Sequence, residues 1–292
     1  MKPSTKRLAM SVAIVLGISS LACDMFVGRI IDKTVDVAAN KVGEKVGAVV
    51  GERLVALTPG LLDAYATASF RILFYHGGAY VTGSDYQVGQ YTRWEGKGIE
   101  QGEFFERVLL RRRDDGSEWW RVQSVAKDED GKTQRLTMEA LLAPISTTGS
   151  RQIRRMRAQF PNESEPREIP ITEENASNWL VTGRKLTPES LEGMTVSEST
   201  KVEVPAGSFD AKHVRVDGYN KQSRVDWFMV DAVPGGIVKY TNTVTDSDGK
   251  DSQTWSMVLM EHGDGSTESK LGVDLDAAPA DGDTPPPPPP AE

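Results

Sequence analysis

The sequence predicts an α+β domain, a curved antiparallel β-meander forming an incomplete barrel, covered by N-terminal helices and followed by a disordered C-terminal tail. Three observations carry this. From Gln87 to about residue 262, hydrophobicity alternates with period two and is cut at short intervals by turn residues. Upstream, residues 24–75 place apolar side chains at helical spacing. From Gly263 onward the chain carries seven acids against Lys270 alone and ends in six prolines, Pro285 to Pro290. That stretch has too little apolar surface to offset the entropy of ordering. The expected organisation is therefore an N-terminal leader at 1–22, an anchor and helical region at 23–83, a β domain at 84–262 and a tail at 263–292.

The leader has a positive start, Lys2, Lys6 and Arg7, then an apolar stretch from Leu8 to Gly17, then small residues up to Ala22. This is the anatomy of an export signal, and its apolar stretch is shorter than the roughly 20 residues a membrane-spanning helix needs. Ser20-Leu21-Ala22-Cys23 resembles the lipobox of bacterial lipoproteins, with Ser20 standing where that family usually has an aliphatic residue. The resemblance implies cleavage after Ala22 and diacylglycerol on the Cys23 sulfur. It places the body in the periplasm or at the cell surface, with inner or outer membrane left open. Cys23 is the chain's one cysteine, so no internal disulfide can form.

In the helical region Gly43, Gly47 and Gly51 recur at every fourth residue, and so share one helix face. Helical glycine costs about 1 kcal/mol against alanine, so such a strip marks close approach of another backbone. Packing on the protein's own sheet, self-association or docking of a partner, and contact with the membrane surface all fit. Lys41, Glu44, Lys45, Glu52 and Arg53 on the other face exclude a transmembrane span. Pro59-Gly60 breaks this helix. Leu61 to Tyr75 then resumes an apolar pattern that fits a second helix or a first strand.

In the β region, Asp114-Asp115-Gly116, Asp130-Gly131, Asp217-Gly218, Pro234-Gly235-Gly236 and Asp248-Gly249 supply hairpin turns. The strands expected between them are 88–97, 103–112, 118–127, 132–141, 150–160, 194–204, 208–217, 223–231, 236–246 and 252–261. Residues 172–192 interrupt the series with short helical turns. In the last four strands Val214, Val216, Val225, Trp227, Met229, Val238, Tyr240, Trp255, Met257 and Leu259 fall on one face, and His213, Arg215, Lys239, Thr241 and Thr243 on the other.

Charge and motifs exclude more than they assign. The formal charge is −8, and removing residues 1–22 takes it to −11, which argues against nucleic-acid binding. His76, His213 and His262 have no metal-ligand spacing, so no metal is expected. Neither a nucleophile elbow nor a phosphate-binding glycine loop occurs, so no catalytic residue and no cofactor is expected. The acids at Asp114-Asp115 read as turn residues. Arg111-Arg112-Arg113 and Arg151, Arg154, Arg155 and Arg157 read as a solvated sheet face, or as a contact for anionic lipid head groups.

The series from Val204-Pro205-Ala206-Gly207-Ser208-Phe209-Asp210-Ala211 through Trp227-Phe228 to Pro234-Gly235-Gly236-Ile237-Val238-Lys239-Tyr240 resembles a hairpin set of uncharacterised bacterial envelope proteins. These are in turn distantly similar to the periplasmic lipoprotein-carrier fold. The resemblance implies an incomplete barrel closed over helices and brings no catalytic residue. The residues themselves predict a bulged hairpin at Pro205–Gly207 and Trp227 facing Tyr240 across a strand pair. The function expected is non-enzymatic binding of an apolar or lipid-like ligand between sheet and helices, lined by Trp227, Met229, Tyr240, Trp255 and Met257. The alternative is a structural or assembly lipoprotein acting through the Gly43-Gly47-Gly51 face.

Overall fold

The computed structural model describes residues 59–74, 80–81, 85–97, 104–127, 131–147, 150–161, 163–171, 180–181, 184–185, 194–217, 223–245 and 251–277. Cys23, the glycine strip Gly43-Gly47-Gly51 and the proline run lie outside these residues.

The described helix, α1 (Pro59–Phe74), begins where the sequence reading ended one. Proline costs nothing in a first helical turn, where its missing N–H has no intrahelical acceptor. Leu62, Tyr65, Ala66, Phe70, Leu73 and Phe74 then recur every three or four residues and pack into the main core.

The strands follow in chain order: β1 (Tyr80–Val81), β2 (Gln90–Lys97), β3 (Phe104–Arg112), β4 (Glu118–Lys127), β5 (Thr133–Leu142), β6 (Arg151–Gln159), β7 (Arg167–Glu168), β8 (Leu180–Val181), β9 (Arg184–Lys185), β10 (Thr195–Val204), β11 (Gly207–Asp217), β12 (Ser223–Met229), β13 (Ile237–Thr245) and β14 (Asp251–Asp264). All ten long strands fall where the alternation placed them. Between β7 and β10 the described chain forms the short strands β8 and β9. β8 pairs with β6, and β9 pairs in parallel with β1.

The large sheet runs in the order β10-β11-β12-β13-β14-β2-β3-β4-β5-β6-β7, with antiparallel neighbours throughout. Two sequential meanders, β2–β7 and β10–β14, are thus joined by one long-range pairing, β14 against β2. The 14-residue length of β14 makes the joint possible. Residues 251–258 pair with β13 and residues 256–264 with β2, and a bulge at Leu259/Glu261 lies inside the second ladder. The sheet is open at β10 and β7 but strongly curled at one end. There the Ala206 N–H in the β10–β11 turn donates to the Leu259 carbonyl of β14, 3.1 Å away.

The β10–β11 hairpin departs from expectation in one detail. Its turn is tight, with Val204 opposite Gly207, and its bulge lies at Ser197/Thr200 rather than at the turn. Gly207 takes φ +142°, so the chain reverses within Pro205-Ala206.

Inner and outer faces are distinguished by α1. On the inner face Trp94, Phe105, Leu109, Trp120, Met138 and Met156 meet the helix side chains in one continuous core, which extends through Val214, Trp227, Tyr240 and Leu259. Phe74 meets the Trp120 ring edge-on at 5.1 Å. Arg107 lies buried in this apolar layer. It donates to the carbonyl of Phe74, the last residue of α1, and through Nε and Nη2 to the Tyr86 hydroxyl at 3.1 and 2.9 Å. The Tyr86 hydroxyl is 2.5 Å from Thr92 Oγ1. The rings of Phe74, Tyr86 and Trp120 stand 5.4, 4.9 and 5.9 Å from the guanidinium. The β12–β13 turn closes over the group at Gly235, where a Cβ would stand 2.8 Å from Arg107 Nη2 and 2.9 Å from Tyr86 Cε2.

The outer face corrects the tail boundary. Gly265–Ala277, expected as the start of a disordered tail, forms a strap across β3–β6. Leu271 and Val273 are buried against Val108, Leu110, Trp119 and Leu141 in a second core. This explains paired apolar residues such as Leu109-Leu110, Trp119-Trp120 and Leu141-Leu142, since strands covered on both faces lose their alternation. The strap's main chain is satisfied largely by side chains. Arg121 donates to the Glu268 carbonyl at 3.0 Å, Arg157 to that of Leu271 at 2.6 Å, and Arg113 to that of Ala277 at 2.7 Å. Glu139 accepts from the Ser269 hydroxyl at 2.5 Å and the Lys270 N–H at 2.8 Å. Composition hides these donors and this acceptor because they belong to the sheet, not to the tail.

Two substitutions test these two layers. Leu271→Ala is expected to lower stability by about 2–5 kcal/mol, seen as a lower urea midpoint at unchanged slope. Arg107→Met keeps volume but leaves the Phe74 carbonyl and the Tyr86 hydroxyl without their donor. It is expected to cost about 3 kcal/mol, and wild-type stability in that variant would remove Arg107 from its structural role.

Candidate functional site

Trp227 on β12, Tyr240 on β13 and Met257 on β14 lie side by side on the inner face. Trp227 is opposite Tyr240, and Tyr240 is opposite Met257. The two rings meet tilted at 5.9 Å, as the cross-strand expectation required. Met229 follows on the same strand face. These four side chains are 1–7% exposed and belong to the main core. Trp255 stands opposite Asn242 in register, and its side chain lies outside the described residues. So four of the five residues read from the alternation form one sealed wall.

Sequence reasoning missed the polar member of that wall. Asn242 follows Tyr240 on the inward parity of β13, opposite Val225 on β12. It is 2% exposed, and its Oδ1 has no hydrogen-bond partner among the described residues. A buried amide oxygen without a donor costs about 1–3 kcal/mol, and such groups are uncommon in folded proteins. The signal was present in the sequence: Asn interrupts the apolar parity Val238, Tyr240, Asn242, Val244.

The charged clusters resolve into structural pairs. His213 Nε2 is 2.6 Å from Asp226 Oδ1, which also accepts from Arg215 Nε at 2.7 Å. The imidazole stacks on Phe228 with ring centroids 4.5 Å apart. This His–Asp pair knits β11 to β12 on the outer face, and its carboxylate is already shared with a guanidinium. Asp115 accepts from the Ser117 N–H at 2.9 Å and from Arg154 at 2.9 Å, the role of a turn acid. The Ser117 hydroxyl and amide, helped by Arg154, pull its carboxyl down to about 2. Among the described residues no group of His, Cys, Asp and Glu could hold a metal ion. No described helix is long and apolar enough to cross a membrane.

The two arginine runs are held in pairs, and Arg111 and Arg112 stay exposed to solvent as the sheet-face reading expected. Arg111 pairs with Asp276 and Arg113 with a strap carbonyl. Arg112 and Arg151 converge on Glu118, Arg154 reaches Asp115, and Arg155 reaches Glu168. Arg157 holds the strap. Glu118 is the most buried of these carboxylates and also accepts from Trp120 Nε1 at 2.9 Å. Burial alone would raise its carboxyl, but the Arg151 charge and the bonds from Arg151, Arg112 and Trp120 outweigh that and hold it below its ordinary value.

A depressed folded-state value means that the Glu118 contribution is complete above the ordinary 4.5 and is lost as pH falls through the folded value. Glu118→Gln strands the Arg151 cation. It is expected to cost about 3–5 kcal/mol at neutral pH and to flatten the fall in stability below pH 4.5, both read from urea unfolding across pH.

No protein-family model matches the chain. No curated protein matches it. Two solved structures are similar to it. The crystal structure of MucB has 14% identity and a TM-score of 0.35 over 74% of this chain and 63% of that one. The crystal structure of MucB in complex with MucA(peri) has 12% identity and a TM-score of 0.33 over 65% of this chain and 54% of that one. The chain therefore spans between about half and just under two thirds of the structures it is similar to.

Proposed function

We propose that this chain is a lipoprotein of the cell envelope, cleaved after Ala22 and acylated on Cys23, and that its folded body is a non-enzymatic binding module. It holds an apolar, lipid-like ligand against the inner face, between sheet and helix. Ligand sites of this kind are mostly apolar, with a few polar groups that fix orientation. The observation that carries the reading is the Asn242 carboxamide, buried in the wall formed by Trp227, Tyr240 and Met257 with no partner for its oxygen among the described residues. A ligand hydroxyl or amide would satisfy it, and the aromatic and methionine side chains would take the apolar part. Methionine is suited to this because its unbranched chain adapts to irregular shapes. Arg107, the buried cation of the same face, is already committed to α1 and Tyr86.

The test uses native protein extracted in detergent. The intact mass should begin at Cys23 and include acyl chains, and lipid analysis should find an apolar molecule in stoichiometric amount. Asn242→Leu removes the buried amide. It should raise stability by about 1–3 kcal/mol, with loss of the co-purifying molecule. Wild-type protein that carries no such molecule, together with a stabilised variant, would reduce the inner face to ordinary core. An unacylated native mass would remove the anchor.

A further inference from the structure

The outer face carries an opening of its own, away from the Asn242 wall. Between the strap and strands β2–β5 lies a cleft of about 390 Å3. Arg93, Glu106, Arg135 and Lys270 supply its charges, and Phe104 and Val125 supply its apolar side. The strap contributes Lys270 to its lining.

The charges in this cleft do not balance. Glu106 is taken by Arg93 at 2.8 Å, and the other arm of Arg93 reaches Glu261 at 2.8 Å. The nearby Glu139 is used by Ser269 and by the Lys270 main chain. That leaves the Lys270 ammonium on a neutral acceptor, Gln123 Oε1, at 2.9 Å. Arg135 is exposed and has no carboxylate within ion-pair distance among the described residues. Behind them Arg121 is 3% exposed, donates to a strap carbonyl and has no partner for its Nε among the described residues. Burial first, then repulsion from Arg121 and from Arg135, lowers the Lys270 ammonium below its ordinary value, against the opposing pull of Glu106 and Glu139. A chain of net charge −8 thus gathers at one concave place cations that no described carboxylate ion-pairs. Arginine and lysine together suit an anion with several oxygens, and half-buried Phe104 and Val125 offer contact to an apolar group beside it.

We propose that this cleft binds an amphiphilic oxyanion, with its phosphate or carboxylate head on Lys270 and Arg135 and its apolar part on Phe104 and Val125. The site is distinct from the inner-face ligand. It holds whether that anion is a soluble ester or the head group of a membrane lipid.

The test uses the full chain carrying Cys23→Ser, which removes any acyl anchor. Binding is measured by calorimetry to dihexanoyl phosphatidic acid and to inorganic phosphate. Co-flotation is measured with phosphatidylcholine vesicles, with and without phosphatidic acid. The short-chain ester should bind saturably, and Lys270→Gln and Arg135→Gln should each weaken it at least tenfold. Lys201→Gln, an exposed change on β10, should have no effect. Flotation that needs phosphatidic acid and is lost in the same two variants would make a bilayer head group the source, and binding of the monomeric ester alone would make it a soluble one. Inorganic phosphate bound as tightly as the ester would overturn the amphiphile. Absence of binding to every probe, or equal binding by all variants with unchanged thermal melts, would overturn the site. Asn242→Leu should leave this binding untouched, so the two ligand readings fail separately.

Discussion

The fold turns on a cation placed in its apolar layer. Arg107 on β3 reaches the last carbonyl of α1, holds Tyr86 by two bonds, and sits under the β12–β13 turn at Gly235. A buried guanidinium without compensation would be strongly unfavourable. Here the negative end of the helix dipole, a phenolic oxygen and three aromatic faces share the work of stabilising it. Because these groups come from the helix, the segment before β2, and the far meander, the group fixes all three relative to β3. Gly235 is part of the same constraint: its φ of +76° and the 2.8 Å approach leave no room for a side chain.

The outer face solves a different problem. Strands β3 to β5 are apolar on both sides, so without a cover Trp119, Leu110 and Leu141 would face water. The strap supplies Leu271 and Val273, with the partly buried Leu275 beside them. Its polar main chain makes no ladder, so it needs donors and acceptors from elsewhere, and Arg113, Arg121, Arg157 and Glu139 provide them. The arginines of β3 to β6 divide between strap carbonyls and carboxylates such as Glu118, Asp115 and Glu168. Lys270 and Arg135 are the exceptions, cations that this scheme does not use.

The two proposed ligand regions differ in kind. The inner wall is apolar with one amide out of place, and the outer cleft is polar with an excess of one charge. They lie on opposite faces of one sheet and share no side chain, so occupancy of one does not block the other. A tethered protein with both would present an apolar interior and a cationic exterior to the same amphiphilic environment.

The sequence by itself determined the strand series, the hairpin turns, the facing of Trp227 and Tyr240, and the inward parity of the wall, because period-two alternation and turn residues are local properties. It also left Asn242 visible as a break in that parity. The tertiary structure alone decided that β14 joins β2, that Arg107 is buried, and that Gly265–Ala277 is ordered. Each of these depends on partners far away in the chain: Glu268 is bonded by Arg121, Asp276 by Arg111, and the Phe74 carbonyl by Arg107. An acidic, glycine-containing segment reads as free chain when weighed by its own composition. It becomes ordered here because the sheet brings the guanidiniums and the apolar slot that its own residues lack.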